Sequence, residues 1–268
     1  MANRDEASGK KINLYAVFGK PISHSLSPLL HNQAFQARGR SAYYIPVECG
    51  PEEAREKLQA FRLLGGQGLN LTRPLKEVVL PWITPTDLWV KAAGAANTLV
   101  LNGDNWEAAN TDCEALYRLL PSIQSRSDAL ILGAGGVARA TAAVLSRRGF
   151  QVVVAARRPG LCDWASEVIS WEERLAARSW DVVVNATPLG QLGEPDQERW
   201  PLPVSRGVAV DWVYRPNNTR FIQAARSRGA HVIDGMTLFM EQAALAWLVW
   251  FGEEGPRGVM REVVAPWR

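Results

Sequence analysis

Short apolar runs alternate with helical patterns through the first half of the chain. We predict strands at residues 14–19, 42–47 and 68–72. Helical patterns cover residues 27–37 and 51–64, and a third helix is expected to begin after Pro74. Ser27 and Pro28 stand at the start of the first helical pattern, which predicts an N-cap followed by a first-turn proline.

A hairpin and a second set of strands follow. Residues 97–101 and 105–110 flank Asn102-Gly103-Asp104, a sequence that predicts a tight turn between two strands. The second half has more uniformly apolar strands, at residues 129–132, 152–155, 181–184 and 208–210. Such strands are typical of a parallel sheet that is covered on both faces. The last helix is predicted over residues 238–251, and the whole pattern indicates an α/β protein.

The composition excludes several classes of protein. The chain has 268 residues, enough for two modest domains, and its net charge of +3 is too small and too evenly spread to indicate nucleic-acid binding. Its three cysteines lack C-x-x-C spacing, so we expect neither a disulfide framework nor a metal site. The polar residues 1–10 predict a frayed tail rather than a signal peptide, and the apolar stretch 243–251 is too short to cross a bilayer. We therefore expect a cytoplasmic protein with no membrane contact.

A glycine loop lies between a predicted strand and a predicted helix. Gly133-x-Gly135-x-x-Ala138 follows the strand at 129–132 and precedes the helical pattern at 139–145. The first glycine permits a tight turn, the second lets a pyrophosphate approach the backbone, and the alanine keeps the helix close to the sheet. An ordinary tight turn is the alternative. The strand-to-helix context favours a dinucleotide site built from Gly133, Ala134, Gly135, Gly136, Val137 and Ala138.

The end of the next strand indicates which dinucleotide is bound. An NAD site would place an acidic residue there, to accept a hydrogen bond from the ribose 2′-hydroxyl. This chain instead has Arg157 and Arg158, and no acid before Asp163. Arginine pairs well with a 2′-phosphate, so NADP is the expected cofactor. The alternative is a solvated basic turn.

Polar side chains gather at the predicted strand ends of the first half. Lys76 lies one helical turn beyond Thr72, and a lone lysine is usually a solvated surface charge. Strand ends of an α/β domain converge on a cleft, however, and Asn70, Asn97 and Asp112 lie at such ends. A Lys–Asp pair there would hold a substrate hydroxyl and pass its proton while a hydride moves. The three histidines are interpreted as structural or helix-face residues. The sequence has neither a G-x-S-x-G elbow nor an H-E-x-x-H pattern, so its motifs do not indicate a hydrolase or a zinc enzyme.

The motifs also occur in a recognisable order. The first half contains Gly19-x-Pro21-Ile22-x-His24-Ser25-x-Ser27-Pro28-x-x-His31-Asn32, Asn70-x-Thr72-x-Pro74-x-Lys76, Gly94-Ala95-x-Asn97-Thr98 and Asn110-Thr111-Asp112. The second half adds Gly133-Ala134-Gly135-Gly136, Asn185-Ala186-Thr187-Pro188-x-Gly190, Asp211-x-Val213-Tyr214-x-Pro216-x-x-Thr219 and Gln242. Over residues 12–252 this order resembles the shikimate dehydrogenase family.

The resemblance implies a fold and an activity. The fold would be α/β with two domains separated by a cleft: an N-terminal substrate domain, and a Rossmann-like NADP-binding domain with a parallel sheet. We expect residues 1–111 to form the first, completed by C-terminal helices at 238–268, and residues 112–237 to form the second. The activity would be NADP-dependent reduction of 3-dehydroshikimate to shikimate, a step toward chorismate and the aromatic amino acids. The protein would act on this small molecule as a monomer or a homodimer.

The resemblance also implies a role for each matching residue. Lys76 would be the acid/base, oriented by Asp112. Ser25 and Ser27 would hold the substrate carboxylate, with Tyr214 nearby. The ring hydroxyls would be bound by Asn70, Thr72, Asn97, Asp112 and Gln242. Arg157 and Arg158 would bind the 2′-phosphate, and the nicotinamide side would be lined by Thr187, Val213 and Gly235.

The chain departs from the family pattern at several positions, and two rival functions stay open. Ala156 stands where the family commonly has asparagine before the arginine, and Cys113 stands where glycine usually follows Asn-Thr-Asp. One rival is a quinate/shikimate dehydrogenase of broader specificity. The other is a non-catalytic NADP-binding sensor on the same fold; retention of both Lys76 and Asp112 argues against it.

Overall fold

The computed structural model describes residues 12–123, 127–162, 164–176, 178–192, 194 and 198–267, and within them two six-stranded sheets form. The predicted frayed tail at residues 1–10 lies outside the described residues.

The first sheet is mixed. Its strands are β1 (Asn13–Gly19), β2 (Ala42–Glu48), β3 (Gly66–Leu71), β4 (Thr84–Pro85), β5 (Thr98–Asn102) and β6 (Asn105–Ala109), in the order β2-β1-β3-β5-β6-β4. Strands β2 and β3 run parallel to β1, whereas β5 is antiparallel to β3 and β6. The carboxyl ends of β1, β3 and β6 therefore share one edge of the sheet with the amino end of β5.

Five helices of the described chain accompany this sheet: α1 (Ser27–Ala37), α2 (Ala54–Leu63), α3 (Leu75–Val78), α4 (Leu88–Ala93) and α5 (Thr111–Leu119). The predicted helix after Pro74 is only the four-residue α3. The predicted N-cap of α1 is wrong, because Leu26 occupies that position and no side chain caps the helix. The hydroxyl of Ser27 is thus not used as a cap.

The second sheet is parallel throughout. It contains β7 (Asp128–Leu132), β8 (Gln151–Ala156), β9 (Glu167–Ser170), β10 (Val182–Asn185), β11 (Val208–Asp211) and β12 (His231–Ile233), in the order β12-β11-β10-β7-β8-β9. The chain moves outward from β7 on one side and then from β10 on the other. Such a doubly wound sheet opens a crevice between those two strands, at their carboxyl ends.

The remaining helices of the described chain are α6 (Gly136–Arg147), α7 (Arg220–Ser227), α8 (Gly235–Phe251) and α9 (Arg257–Val264). Helix α8 returns to the first sheet, where Trp250 Nε1 donates to the carbonyl oxygen of Leu99 at 3.0 Å. Helix α6 packs against α4, with the guanidinium of Arg139 lying on the backbone of Gly94. Gly94 ends α4 in the left-handed conformation, with φ +58°, and this conformation favours glycine.

Candidate active site

A lysine and an aspartate meet at the shared edge of the first sheet. Nζ of Lys76, on α3, donates to Oδ2 of Asp112, on α5, at 2.6 Å, and their side chains are 20% and 12% exposed. Helix α3 follows β3 and helix α5 follows β6, so two carboxyl ends at one edge bring the pair together. The backbone also helps, because Ala96 N donates to the carbonyl oxygen of Lys76 at 2.8 Å.

Helix α5 is fixed by a side-chain cap that sequence reasoning missed. Oδ1 of Asn110 accepts from Cys113 N at 3.1 Å, and Nδ2 of Asn110 donates to the carbonyl oxygen of Ala95 at 2.8 Å. Cys113 is buried within the helix, where its backbone conformation does not call for glycine. The departure at this position therefore leaves Asp112 in place.

Asn97 ties the start of β5 to the start of α5. Its Oδ1 accepts from the backbone N of Thr111 at 2.7 Å and from Thr111 Oγ1 at 3.1 Å. Asn97 is 2% exposed. Since the amide oxygen is occupied, the Nδ2 hydrogens are the groups that Asn97 can offer to a ligand hydroxyl.

Asn70, near the end of β3, is held from both sides. Its Nδ2 donates to the carbonyl oxygen of Asn97 at 3.2 Å and to Thr98 Oγ1 at 3.0 Å. Its Oδ1 accepts from the phenol of Tyr44 at 2.7 Å. Both amide hydrogens are therefore engaged within the protein, and Asn70 can meet a ligand only as an acceptor through Oδ1.

The two serines lie at the turn between β1 and α1. Oγ of Ser25 accepts from the backbone N of Ser27 at 3.3 Å, and Ser27 is the first residue of α1. Nη1 of Arg215 donates to the carbonyl oxygen of His24 at 3.3 Å, which connects this turn to the segment that follows β11. Hydroxyls at the start of a helix suit an anion.

Thr72, Tyr214 and Gln242 complete the predicted substrate set. Thr72 directly follows β3, and its backbone N donates to the carbonyl oxygen of Phe18 at 2.9 Å. The ring of Tyr214 stacks on Phe239 at 4.9 Å between centroids, and Nε2 of Gln242 donates to the carbonyl oxygen of Phe239 at 2.8 Å. Burial raises the pKa of Tyr214, against a smaller opposing effect of Arg215.

The glycine loop forms the expected turn between β7 and α6. Gly133 has φ +113°, and a Cβ there would lie 2.9 Å from the carbonyl oxygen of Ala186, so only glycine fits. Gly135 is the N-cap of α6; a Cβ on it would meet nothing within 4 Å, and no side chain caps the helix. The backbone around Gly135 is therefore accessible, and the first N–H groups of α6 can receive a phosphate.

The glycine turn and the Lys76 segment lie side by side. A Cβ on Gly136 would lie 3.0 Å from Oε1 of Glu77, the residue that follows Lys76 on α3. A dinucleotide held at the start of α6 would thus extend toward the Lys76–Asp112 pair.

The residues predicted on the nicotinamide side are ordered by a buried carboxylate. Thr187 Oγ1 donates to Asn185 Oδ1 at 2.6 Å, and Asn185 Nδ2 donates to Asp211 Oδ1 at 2.9 Å. Val213 N donates to the same oxygen of Asp211 at 3.0 Å. Gly235 packs directly on the carbonyl group of Val213, where a side chain would collide. Thr187 follows β10, Val213 follows β11 and Gly235 follows β12, so all three lie at the carboxyl edge of the second sheet.

The two arginines lie at the carboxyl end of β8. Arg157 and Arg158 are both exposed, and over the described residues neither guanidinium is engaged by a protein acceptor. They are available to an anionic ligand. The described residues contain no group of three or more His, Cys, Asp or Glu that would hold a metal ion. Among them, no helix has the length and apolar character needed to span a bilayer.

The doubly wound sheet, with a glycine turn at its switch point, defines an α/β protein of the dinucleotide-binding class. Residues 17–99 match the family described as the shikimate dehydrogenase substrate binding domain. A shikimate dehydrogenase (NADP(+)) from Oleidesulfovibrio alaskensis is 36% identical over 265 residues, which cover 94% of each protein. The chain belongs to the shikimate dehydrogenase family.

Solved structures agree with this assignment. Shikimate 5-dehydrogenase from Thermus thermophilus, in complex with NADP(H) and shikimate, superposes with a TM-score of 0.82 at 32% identity, covering 95% of this chain and 99% of that one. Quinate dehydrogenase from Corynebacterium glutamicum, in complex with NAD, gives a TM-score of 0.81 at 27% identity, covering 96% and 100%. The fold is therefore shared by relatives that differ in both substrate and cofactor.

Proposed function

We propose that this chain catalyses the reversible NADP-dependent reduction of 3-dehydroshikimate to shikimate, a step of the shikimate pathway toward chorismate and the aromatic amino acids. The Lys76–Asp112 pair beside the glycine turn carries the proposal, because it places a proton donor next to a dinucleotide site. The chain is an oxidoreductase that acts on a CH–OH group.

The glycine turn after β7 and the residues that follow β8, β10, β11 and β12 fit NADP. When bound, this cofactor supplies the hydride in the reducing direction and accepts it in the other. The uncapped start of α6 and the open backbone at Gly135 suit its pyrophosphate, and the exposed pair Arg157 and Arg158 suits its 2′-phosphate. Thr187, Val213 and Gly235 would line the nicotinamide side.

Lys76 would transfer the proton. Its ammonium group donates to the ring carbonyl oxygen as that oxygen gains negative charge, and it takes the proton back in the oxidising direction. Asp112 accepts a hydrogen bond from Nζ, which orients the ammonium group and offsets its charge in a half-buried site. Positioned acid–base catalysis of this kind is worth about 10²–10⁴-fold in rate.

The remaining polar residues would hold the substrate. Ser25 and Ser27, with Tyr214 nearby, bind the carboxylate. The hydroxyls are bound by Asn70, Thr72, Asn97, Asp112 and Gln242. The two amides would contact different groups of the substrate. Asn97 can donate through its Nδ2 hydrogens, whereas Asn70 can only accept through Oδ1.

We also retain the proposed division of the chain. Residues 1–111, together with the helices at 238–268, form the substrate domain, and residues 112–237 form the NADP domain. The bond from Trp250 to Leu99 supports the return of α8 to the first sheet. A cytoplasmic location and a monomeric or homodimeric state stay predictions.

One assay of the purified chain distinguishes the proposed function from a quinate/shikimate dehydrogenase and from a non-catalytic NADP-binding sensor. Shikimate and quinate are each oxidised with NADP⁺ and with NAD⁺, followed by absorbance of the reduced nicotinamide. We expect the highest kcat/KM for shikimate with NADP⁺. Comparable turnover of quinate would indicate the broader dehydrogenase, for which the likeness to quinate dehydrogenase is the specific observation. Binding of NADP without turnover of either substrate would indicate a sensor.

A further inference from the structure

We propose that Tyr44 is a positioning residue that fixes the orientation of the Asn70 amide, and that it thereby determines how the site accepts a ring hydroxyl of the substrate. The inference rests on the proposed function, because it assigns a role within the same substrate site. It concerns a residue of β2 that carries no role in the sequence motifs.

The hydrogen bonds around Asn70 leave one orientation of its amide. The phenol of Tyr44 donates to Oδ1 at 2.7 Å, while Nδ2 faces the carbonyl oxygen of Asn97 at 3.2 Å. A flipped amide would place its oxygen against that carbonyl oxygen. The phenol is a donor under assay conditions, since burial raises the pKa of Tyr44 well above its usual value. The second lone pair of Oδ1 is then presented in a fixed direction.

Tyr44 is itself held by two residues of α1. The side chain of Asn32 donates to the carbonyl oxygen of Tyr44 at 2.9 Å and accepts from its backbone N at 2.8 Å. The ring of His31 stacks on the Tyr44 ring at 4.5 Å between centroids, with 23° between the planes. Nδ1 of His31 in turn accepts from Trp247 Nε1 at 3.1 Å. Two motif residues without a role in substrate binding thus hold Tyr44, Asn32 through its backbone and His31 through its ring.

The same phenol connects two parts of the substrate site. A hydrogen bond from the side chain of Ser27 lowers the pKa of Tyr44, against the larger effect of burial. Ser27 therefore lies beside the phenol whose own hydrogen is donated to Asn70. Ser27 is one of the residues proposed to bind the substrate carboxylate, and Asn70 is one of those proposed to bind its hydroxyls. Tyr44 therefore lies between the two parts of the proposed substrate site.

The test is Tyr44→Phe, which keeps the ring and its stacking on His31 but removes the hydroxyl. The lost bond should raise KM for shikimate about threefold to tenfold, in line with the usual net contribution of one hydrogen bond. We expect kcat and KM for NADP⁺ to stay within about twofold. Tyr43→Phe is the matched control, because Tyr43 precedes it on β2 and is 59% exposed. Thermal melting of both variants monitors the fold.

A double-mutant cycle with Asn70→Ala shows whether Tyr44 acts through Asn70. We expect Tyr44→Phe to leave KM for shikimate unchanged in the Asn70→Ala background. An equal effect in both backgrounds, or a parent-like KM in Tyr44→Phe alone, would overturn the inference while the proposed function stands. A parent chain that does not oxidise shikimate would overturn the proposed function, and this inference with it.

Discussion

Lys76 and Asp112 lie 36 positions apart in the chain, yet Nζ of one is 2.6 Å from Oδ2 of the other. Two elements explain the contact: α3 begins just beyond β3, and α5 begins directly after β6, at the same edge of the first sheet. The pair is partly shielded from water. Removing either side chain leaves the other charge without its ion-pair partner. Each substitution is therefore expected to lower activity strongly.

The proposed binding of the substrate carboxylate by Ser25 and Ser27 is tested by the double variant Ser25→Ala, Ser27→Ala. Two hydroxyls are lost from the proposed site while Lys76 and Asp112 remain, so KM for shikimate should rise with little change in kcat. One hydrogen bond to a charged group is worth about 1.5–3 kcal/mol, or roughly tenfold to a hundredfold in binding. Ser23→Ala is the control, since Ser23 is exposed in the same turn. A double variant with the KM of the control would place the carboxylate elsewhere.

The cofactor preference is tested by replacing Arg157 and Arg158 with alanine. Only NADP carries the phosphate that these guanidinium groups are proposed to hold, so kcat/KM with NADP⁺ should fall much more than with NAD⁺. The difference should shrink at higher ionic strength, because exposed charges are screened. Arg228→Ala, at another exposed arginine, should change neither value. Equal losses with both cofactors would show that the pair is solvated surface charge.

The buried His31 predicts a dependence of stability on pH. Burial lowers the pKa of His31 from 6.5 to about 3, so the folded protein keeps it neutral. Below about pH 6.5 the unfolded chain binds a proton there and the folded chain does not. The free energy of unfolding should therefore fall as the pH decreases, by up to about 1.4 kcal/mol per unit from this group.

Urea unfolding of the parent and His31→Gln, from about pH 7 to about pH 5, measures this contribution. The variant loses the hydrogen bond from Trp247 Nε1 to His31, so its free energy of unfolding should be lower than that of the parent at neutral pH. The difference between the two should narrow as the pH falls, because only the parent loses stability through His31. His231→Gln, at an exposed histidine, is the control. Parallel curves for parent and His31→Gln would contradict a neutral buried His31.

Strand ends explain how much of the fold and site could be predicted. The glycine turn was predictable because Gly133 follows an apolar strand directly, and Lys76 and Asp112 because each lies just beyond a strand. Helix α5 was missed, because its cap, Asn110, lies in a polar motif that indicates a ligand site rather than a helix start. The helix after Pro74 was predicted, but the pattern there does not show that it ends after the four residues of α3.

Partnerships across the first sheet could not be predicted from the sequence. The bond from Tyr44 to Asn70 depends on the register of three strands, in which Tyr44 is paired with Tyr15 on β1 and Val17 is paired with Asn70 on β3. The sequence of β2 does not single out Tyr44, because its neighbours Tyr43 and Ile45 are also aromatic or apolar and yet are exposed. A buried tyrosine needs a partner for its hydroxyl, but its sequence neighbours do not identify that partner.

The most direct test of the account is the Lys76→Ala variant, measured for turnover and for shikimate binding. We expect kcat to fall by about 10²–10⁴-fold while the dissociation constant for shikimate changes little, because the proton-transfer group is lost and most substrate contacts remain. Lys91→Ala, at an exposed lysine near the end of α4, should match the parent. A Lys76→Ala variant whose kcat stays within a few-fold of the parent would show that Lys76 is not the acid/base.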